Sequence, residues 1–319
     1  MNARKTFGDQ LRVIPVILMV FFIGQGIWAQ SDSINRPSLG DHYFTPVSYS
    51  NLPFTDSYLS TLTGYGQTTD LVHQLGSIGN IDLRGLKGKV AFIDMGFIYQ
   101  QRVRDWMAAY VSLGFSARLG TELQSILAQG VNTLSNFEIG WHIRLLKRDK
   151  YAISTIVQLQ NNQASFMNVL GFVRDVINDF PEPSITENIP LLSAASGLRF
   201  AWGLSELVGF KASTNLAYGE SYTRGENGFS FKAGAGIDLD FNPRYSVPVG
   251  LLVNYSISSM PDIVYIEGKK AQMGQVKIAY TGASDFNIGI EYSYQKIPLF
   301  EQTTPPTVQS IALAVRYYF

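Results

Sequence analysis

The sequence predicts an all-β fold: a transmembrane antiparallel up-and-down β-barrel of about twelve strands. Three observations carry this expectation. From residue 89 to the C-terminus, segment after segment alternates apolar and polar side chains with a period of two. The connections between segments are short and long in turn. The polar faces consist of Gly, Ser, Gln, Asn and charges, which would make a poor dry core for a soluble sandwich.

Composition points the same way. Charged residues make up 16 % of the 319 residues and the formal net charge is +0, against about 25 % charged in soluble domains. Gly 29, Tyr 17 and Phe 20 are high, and Cys is absent. Without Cys there is no disulfide framework, thiolate metal site or lipidated N-terminal Cys. Nucleic acid is not an expected partner, because no basic face stands out.

At the N-terminus, Arg4, Lys5 and Arg12 accompany an apolar run over residues 13–23, and Gly24, Gly26 and Ala29 follow. This is the layout of a secretory signal peptide, too short for a transmembrane helix. It predicts a signal peptide over 1–29, cleaved near Ala29 with Gly26 as the alternative. Residues 30–74 are polar, contain Pro37, Pro46 and Pro53, and show no clear period. They form a periplasmic leader or a lumen plug. The barrel is expected over 75–319.

The first strand, about 75–84, is weak. The next, 89–101, sets Ile93, Met95, Phe97 and Tyr99 against Asp94, Gly96 and Gln100. Segments 106–119, 135–146 and 151–160 continue the pattern, with Arg118, Glu138, His142 and Arg144 on polar faces. Segments 193–203 and 206–218 place Arg199 and Lys211 likewise. Segment 229–241 alternates most cleanly, with Lys232, Asp238 and Asp240 opposite Phe231, Ile237 and Leu239. Segments 247–257, 272–281 and 285–296 follow, the last two carrying Lys277 and Glu291. The closing strand sets Ile311, Leu313, Val315, Tyr317 and Phe319 against Ser310, Ala312, Ala314, Arg316 and Tyr318.

Counting back from Phe319, the expected periplasmic turns are 282–284, 242–246, 203–205, 147–150 and 102–105, all short. The expected outer loops, 297–307, 258–271, 219–228, 161–192 and 119–134, are long. Only the first hairpin, near 85–88, departs from this order. Two loop stretches, 121–130 and 164–180, read as short helices. Tyr99, Trp106, Tyr151, Trp202, Phe241, Tyr280, Phe286, Tyr317 and Phe319 fall near the periplasmic strand ends. Tyr218, Phe229, Tyr255, Tyr292 and Tyr294 fall near the other ends. Such rings favour the two membrane interfaces.

The expected lumen-lining set is Asp94, Arg118, Glu138, His142, Arg144, Arg199, Lys211, Lys232, Asp238, Asp240, Lys277, Glu291 and Arg316. A mixed-charge lumen tunes which solutes pass, or fills a narrow barrel with salt bridges. No catalytic constellation is apparent. His142 has no recognisable Ser motif beside it in sequence, and Gly234-Ala-Gly236 lies within a strand rather than at a strand-to-helix turn. Asp238 and Asp240 lack the ligand spacing of a calcium loop, so neither metal nor other cofactor is expected.

The terminal Phe319 on an alternating strand, behind an export signal, resembles the Gram-negative outer-membrane β-barrel proteins. In that class the closing strand typically ends in an aromatic that the barrel-assembly machinery reads. The resemblance implies an outer-membrane location, lipid around the barrel and contact with that machinery during assembly. A leader before the barrel and long outer loops are also similar to the long-chain fatty-acid transporter family and to small uncharacterised barrel families. The fatty-acid family's Asn-Pro-Ala stretch near the mature N-terminus is missing here, and its ligand-binding residues find no counterparts. The functions in view are a channel or facilitator for small solutes and a structural or interaction barrel without flux. A lipid-cleaving enzyme ranks last.

Overall fold

Twelve antiparallel strands close on themselves in the computed structural model. The described residues are 36–48, 52–68, 71–78, 81–88, 91–119, 130–167, 186–220, 227–259, 270–296 and 307–319. Two short strands, β1 (Ser38–Leu39) and β2 (His42–Tyr43), form a small hairpin ahead of the barrel. The barrel begins with β3 (Tyr58–Thr68). Next, β4 (Leu71–Ile78) and β5 (Ile81–Gly88) pair only with each other, as a separate hairpin. The wall resumes with β6 (Ala91–Arg104), β7 (Met107–Leu119), β8 (Gly130–Lys147), β9 (Tyr151–Met167) and β10 (Thr186–Gly203). It continues through β11 (Val208–Glu220), β12 (Asn227–Asp240), β13 (Val249–Ser259), β14 (Ala271–Tyr280), β15 (Phe286–Lys296) and β16 (Thr307–Tyr318). Neighbours in sequence are neighbours in the wall, β3 pairs β6, and β16 closes on β3.

The barrel therefore starts some seventeen residues earlier than the alternation suggests, at Tyr58 rather than near Leu75. The physical reason lies in the face contrast of β3. Its outward positions include Thr61 and Thr63, while inward-facing Leu62 packs with Ala312 and Ala314. Polar residues outside and a leucine inside erase the period-two signal. Residues 75–78 and 81–84 belong to the separate β4–β5 hairpin.

The strands at the C-terminal end of the barrel are joined by tight connections over 105–106, 148–150, 204–207, 241–248 and 281–285. The connection at 241–248 contains a single helical turn, α1 (Asn242–Tyr245), with a proline in its first turn. At the far end β8, β9 and β10 are 18, 17 and 18 residues long, beyond the roughly 9–11 a tilted span needs. Residues 164–167, read from sequence as the start of a loop helix, instead extend β9 and pair with β10. The rest of that stretch, 121–129 of the other helical stretch, and the signal peptide lie outside the described residues.

The outer face carries the large apolar side chains. Ile311, Leu313, Tyr317 and Phe319 are exposed along β16, while Ala312, Ala314, Arg316 and Tyr318 are buried inside. Met95, Trp141, Leu159, Leu198, Ile237 and Ile290 are exposed on other strands. This inside-out arrangement is that of a barrel whose outer solvent is hydrocarbon. At the C-terminal end, Trp106, Tyr151, Trp202, Tyr280, Tyr317 and Phe319 are exposed and Tyr99 and Phe241 half-exposed. Phe319 stacks on Tyr99, with ring centroids 6.0 Å apart, which brings the last residue against β6, across β3 from its own strand.

Candidate functional site: a plugged lumen

Residues 36–48 and 52–57 lie within the C-terminal half of the lumen. Leu39, Phe44, Leu52 and Phe54 gather with wall residues Ala152 and Ala201 into one apolar cluster. Glycines in the wall make room for this plug. A Cβ on Gly203 would sit 1.9 Å from the Leu39 carbonyl oxygen, and one on Gly209 would sit 2.4 Å from the His42 ring. The plug's first hairpin turns through Gly40 and Asp41, both with positive φ (55° and 65°), where glycine is at no disadvantage and Asp is tolerated.

The wall grips the plug mostly through polar side chains. The Thr45 backbone N–H donates to Asp238 Oδ2 at 2.5 Å. Lys277 Nζ donates to the Pro46 carbonyl at 2.8 Å. Glu291 Oε2 accepts from the Ser48 hydroxyl at 2.9 Å. Its other oxygen accepts from Gln275 Nε2, and Gln275 Oε1 accepts from Asn254 Nδ2, both at 2.9 Å. Arg36 Nη1 donates to the Thr281 carbonyl at 2.8 Å, and Nη2 approaches Asp240 at 3.9 Å. Asp240 Oδ1 accepts from the Thr281 hydroxyl at 2.8 Å. Arg316 lies 4.0 Å above the Tyr58 ring, a favourable cation–π placement.

A second grip lies on β6, β8 and β9. Gln100 Nε2 donates to the carbonyls of Phe54 at 3.0 Å and Asp56 at 2.8 Å. Gln100 Oε1 faces His142 Nδ1 at 3.4 Å, and His142 Nε2 faces Ser154 Oγ at 2.6 Å. This serine partner of His142 could not be read from spacing, since it comes from the next strand. The Ser154 and His142 side chains are both buried. The series ends on the plug backbone through Gln100.

Toward the far end the lumen is lined by amides. Tyr110 Oη donates to Gln158 Oε1 at 2.5 Å, Gln158 Nε2 to Gln160 Oε1 at 2.9 Å, and Gln160 Nε2 to Ser193 Oγ at 2.9 Å. Asn136 Nδ2 donates to Asn162 Oδ1 at 2.5 Å and to Glu138 Oε1 at 3.3 Å. The Ser116 hydroxyl donates to Asp94. Arg199 is buried and donates to the Thr214 carbonyl at 2.5 Å.

The sequence-derived lumen set thus divides. Asp238, Asp240, Lys277, Glu291 and Arg316 meet the plug or its foot. Buried Lys211 sits on the same β11–β12 stretch of wall. His142 acts on the plug through Gln100. Asp94, Glu138, Arg199 and Lys232 lie farther along, and Arg144 lies at the C-terminal rim, half-buried. Arg118 pairs opposite Phe92 in the ladder, and its side chain is outside the described residues. Tyr110, Gln158, Asn254, Gln275 and the plug residues themselves were not singled out. Neutral polar groups on a strand carry no signal beyond alternation.

Two plug groups titrate unusually. Burial holds the His42 imidazole below its ordinary 6.5; the Glu206 carbonyl, 3.2 Å from Nδ1, and Asp240 oppose this, and Arg36 adds to it. Burial pushes the Asp56 carboxyl above its ordinary 3.8, against the pull of Lys147, Arg102 and Arg144.

No protein-family model and no curated protein matches the chain. Solved structures similar in fold include the NanC porin, with 8 % identity over 82 % of this chain and 100 % of that one, at a TM-score of 0.49. An outer membrane channel from Pseudomonas putida F1 matches with 10 % identity over 86 % and 100 %, also at 0.49. A Pseudomonas aeruginosa homologue of FadL matches with 9 % identity over 83 % and 91 %, at 0.42. The chain is a closed antiparallel β-barrel of twelve strands with large apolar side chains on its outer face. Its lumen has to be understood from its own residues.

Proposed function

We propose that the protein is a channel or facilitator in the outer membrane of a Gram-negative bacterium, passing small solutes through the barrel lumen. The signal peptide delivers it, the aromatic closing strand engages the barrel-assembly machinery, and lipid surrounds the exposed apolar face. Both barrel termini and the tight connections face the periplasm; the far end faces outward. Residues 36–48 and 52–57 close the periplasmic half of the path at rest, and passage requires this plug to move.

One observation supports this reading above others. The plug is held mostly by hydrogen bonds from individual side chains, among them Asp238, Lys277, Glu291 and Gln100, with a few backbone bonds such as Gly40 to Asp149, and belongs to no strand of the wall. Each such bond is worth about 1 kcal/mol net, or up to about 3 with a charged partner. Such contacts can be exchanged for water one by one, whereas the wall ladder cannot open without unfolding.

The test is conductance in a planar bilayer, for the full chain and for a chain lacking residues 36–57. Steady or flickering current in the full chain supports a path that opens around the plug. Current only after deletion supports a gated path. Silence in both overturns the channel and leaves a filled structural or interaction barrel whose partners bind at the outer loops.

A further inference from the structure

Beside the plug, at the C-terminal mouth of the barrel, lies an open basin of about 800 Å³. Four cations line it: Arg144, Lys147, Arg148 and Lys150, from the end of β8 and the β8–β9 connection. The opposite side is the plug's hairpin turn at Gly40 and Asp41. The two sides are tied together, since the Gly40 N–H donates to the Asp149 carbonyl at 2.6 Å.

Three features make this more than a solvated charged turn. First, none of the four cations comes within ion-pair distance of a carboxylate among the described residues, although Asp41 and Asp149 line the same basin and the buried Asp56 attracts Lys147 and Arg144 from farther off. Second, the side of the wall is right. Arg144 pairs with Ser154 and Lys147 with Ala152, both buried inward positions. Their heads thus belong to the mouth of the lumen rather than to the lipid face. Third, the volume is that of a small-molecule site, about 300–1,000 Å³. Several like charges around one concavity raise the local anion concentration. Beyond Arg144, the sequence-derived lumen set holds six cations to five carboxylates.

We infer that this basin binds a small organic polyanion, such as a di- or tricarboxylate, at the periplasmic end of the path. The inference rests on the channel reading for the ligand's route. The site has four cations on one side and the plug's hairpin turn on the other. A polyanion seated there lies against the plug turn, so its arrival and the plug's position are coupled.

The test uses citrate as the probe and the folded full chain in an uncharged detergent. Isothermal titration is expected to show saturable binding that weakens as salt rises. The double variant Lys147→Glu, Lys150→Glu is expected to lose at least tenfold in affinity while still migrating as a folded barrel when unheated on a gel. Absence of saturable heat, or equal affinity in the variant, overturns the site. Should the double variant not fold, Lys150→Gln alone is read the same way, with a several-fold loss expected. This titration needs no current. Citrate binding in a barrel that never conducts would sink the channel and leave the site, and conduction without citrate binding would do the reverse.

Discussion

At the scale of single residues, the lumen works by matching small wall positions to a segment that must fit inside. Gly209 shows this most directly, because any side chain there enters the space of His42 and Phe44. Gly209→Val should displace the plug while leaving the ladder intact, at a cost on the order of 1–3 kcal/mol. Faster protease cleavage within residues 36–57, with unchanged migration of the barrel, is the expected readout. His42 adds a dependence on pH. Its imidazole is held below the ordinary 6.5 when seated, chiefly by burial, so the released plug binds the proton more readily. The contribution to seating is full above that value and is lost as pH falls below it, by up to about tenfold per unit. The buried Nε2 has no hydrogen-bond partner, so a proton there would be orphaned. Acidification from about pH 7.5 to 5.5 should therefore loosen the plug in the natural protein more than in His42→Gln. Asp56, whose carboxyl is raised by burial, acts in the opposite direction. It is present in both proteins, so their difference isolates His42. Equal pH dependence in the two would remove His42 from the seat.

At the scale of elements, the wall and its attachments separate cleanly. The hairpin of β4 and β5 shares no ladder with the barrel. Replacing residues 71–88 by a short Gly-Ser link between β3 and β6 should leave a closed barrel, seen as a shift in gel migration on boiling. Loss of that shift would restore a wall strand near Leu75. Eleven of the twelve wall strands were legible in the sequence because an apolar outer face and a polar lumen face alternate along them, most cleanly along 229–241. The twelfth, β3, was hidden by Thr61 and Thr63 outside and Leu62 inside. The charged members of the site were legible for the same reason: alternation assigned Asp238, Lys277 and Glu291 to the lumen. What they hold was not legible. The plug has no period of its own, and its bonds join residues far apart, such as Thr45 to Asp238 and Pro46 to Lys277. The pairing of His142 with Ser154 is likewise a matter of register between two strands, which a list of positions does not contain.

At the scale of the whole molecule, two structures of different durability are nested. The wall is a continuous cycle of backbone pairings that ends where β16 meets β3, and in hydrocarbon each of those pairings has no competing partner. The plug is bound by polar side chains of the wall, an apolar cluster and a few backbone hydrogen bonds, and it shares no ladder with the wall. If this division is right, the wall should not need the plug. Deleting residues 36–57 exposes Asp238, Asp240, Lys277, Glu291 and Arg316, but it exposes them to water, so none becomes a buried orphan of the kind that costs several kcal/mol. The shortened chain should thus still assemble and still shift on boiling, with a thermal midpoint lower than that of the full chain because the Leu39, Phe44, Leu52 and Phe54 cluster is gone. A shortened chain that fails to assemble would mean instead that the plug is a core around which the strands close. The lumen would then be an interior to be filled, and the search for function would move from its walls to the surface of the closed barrel.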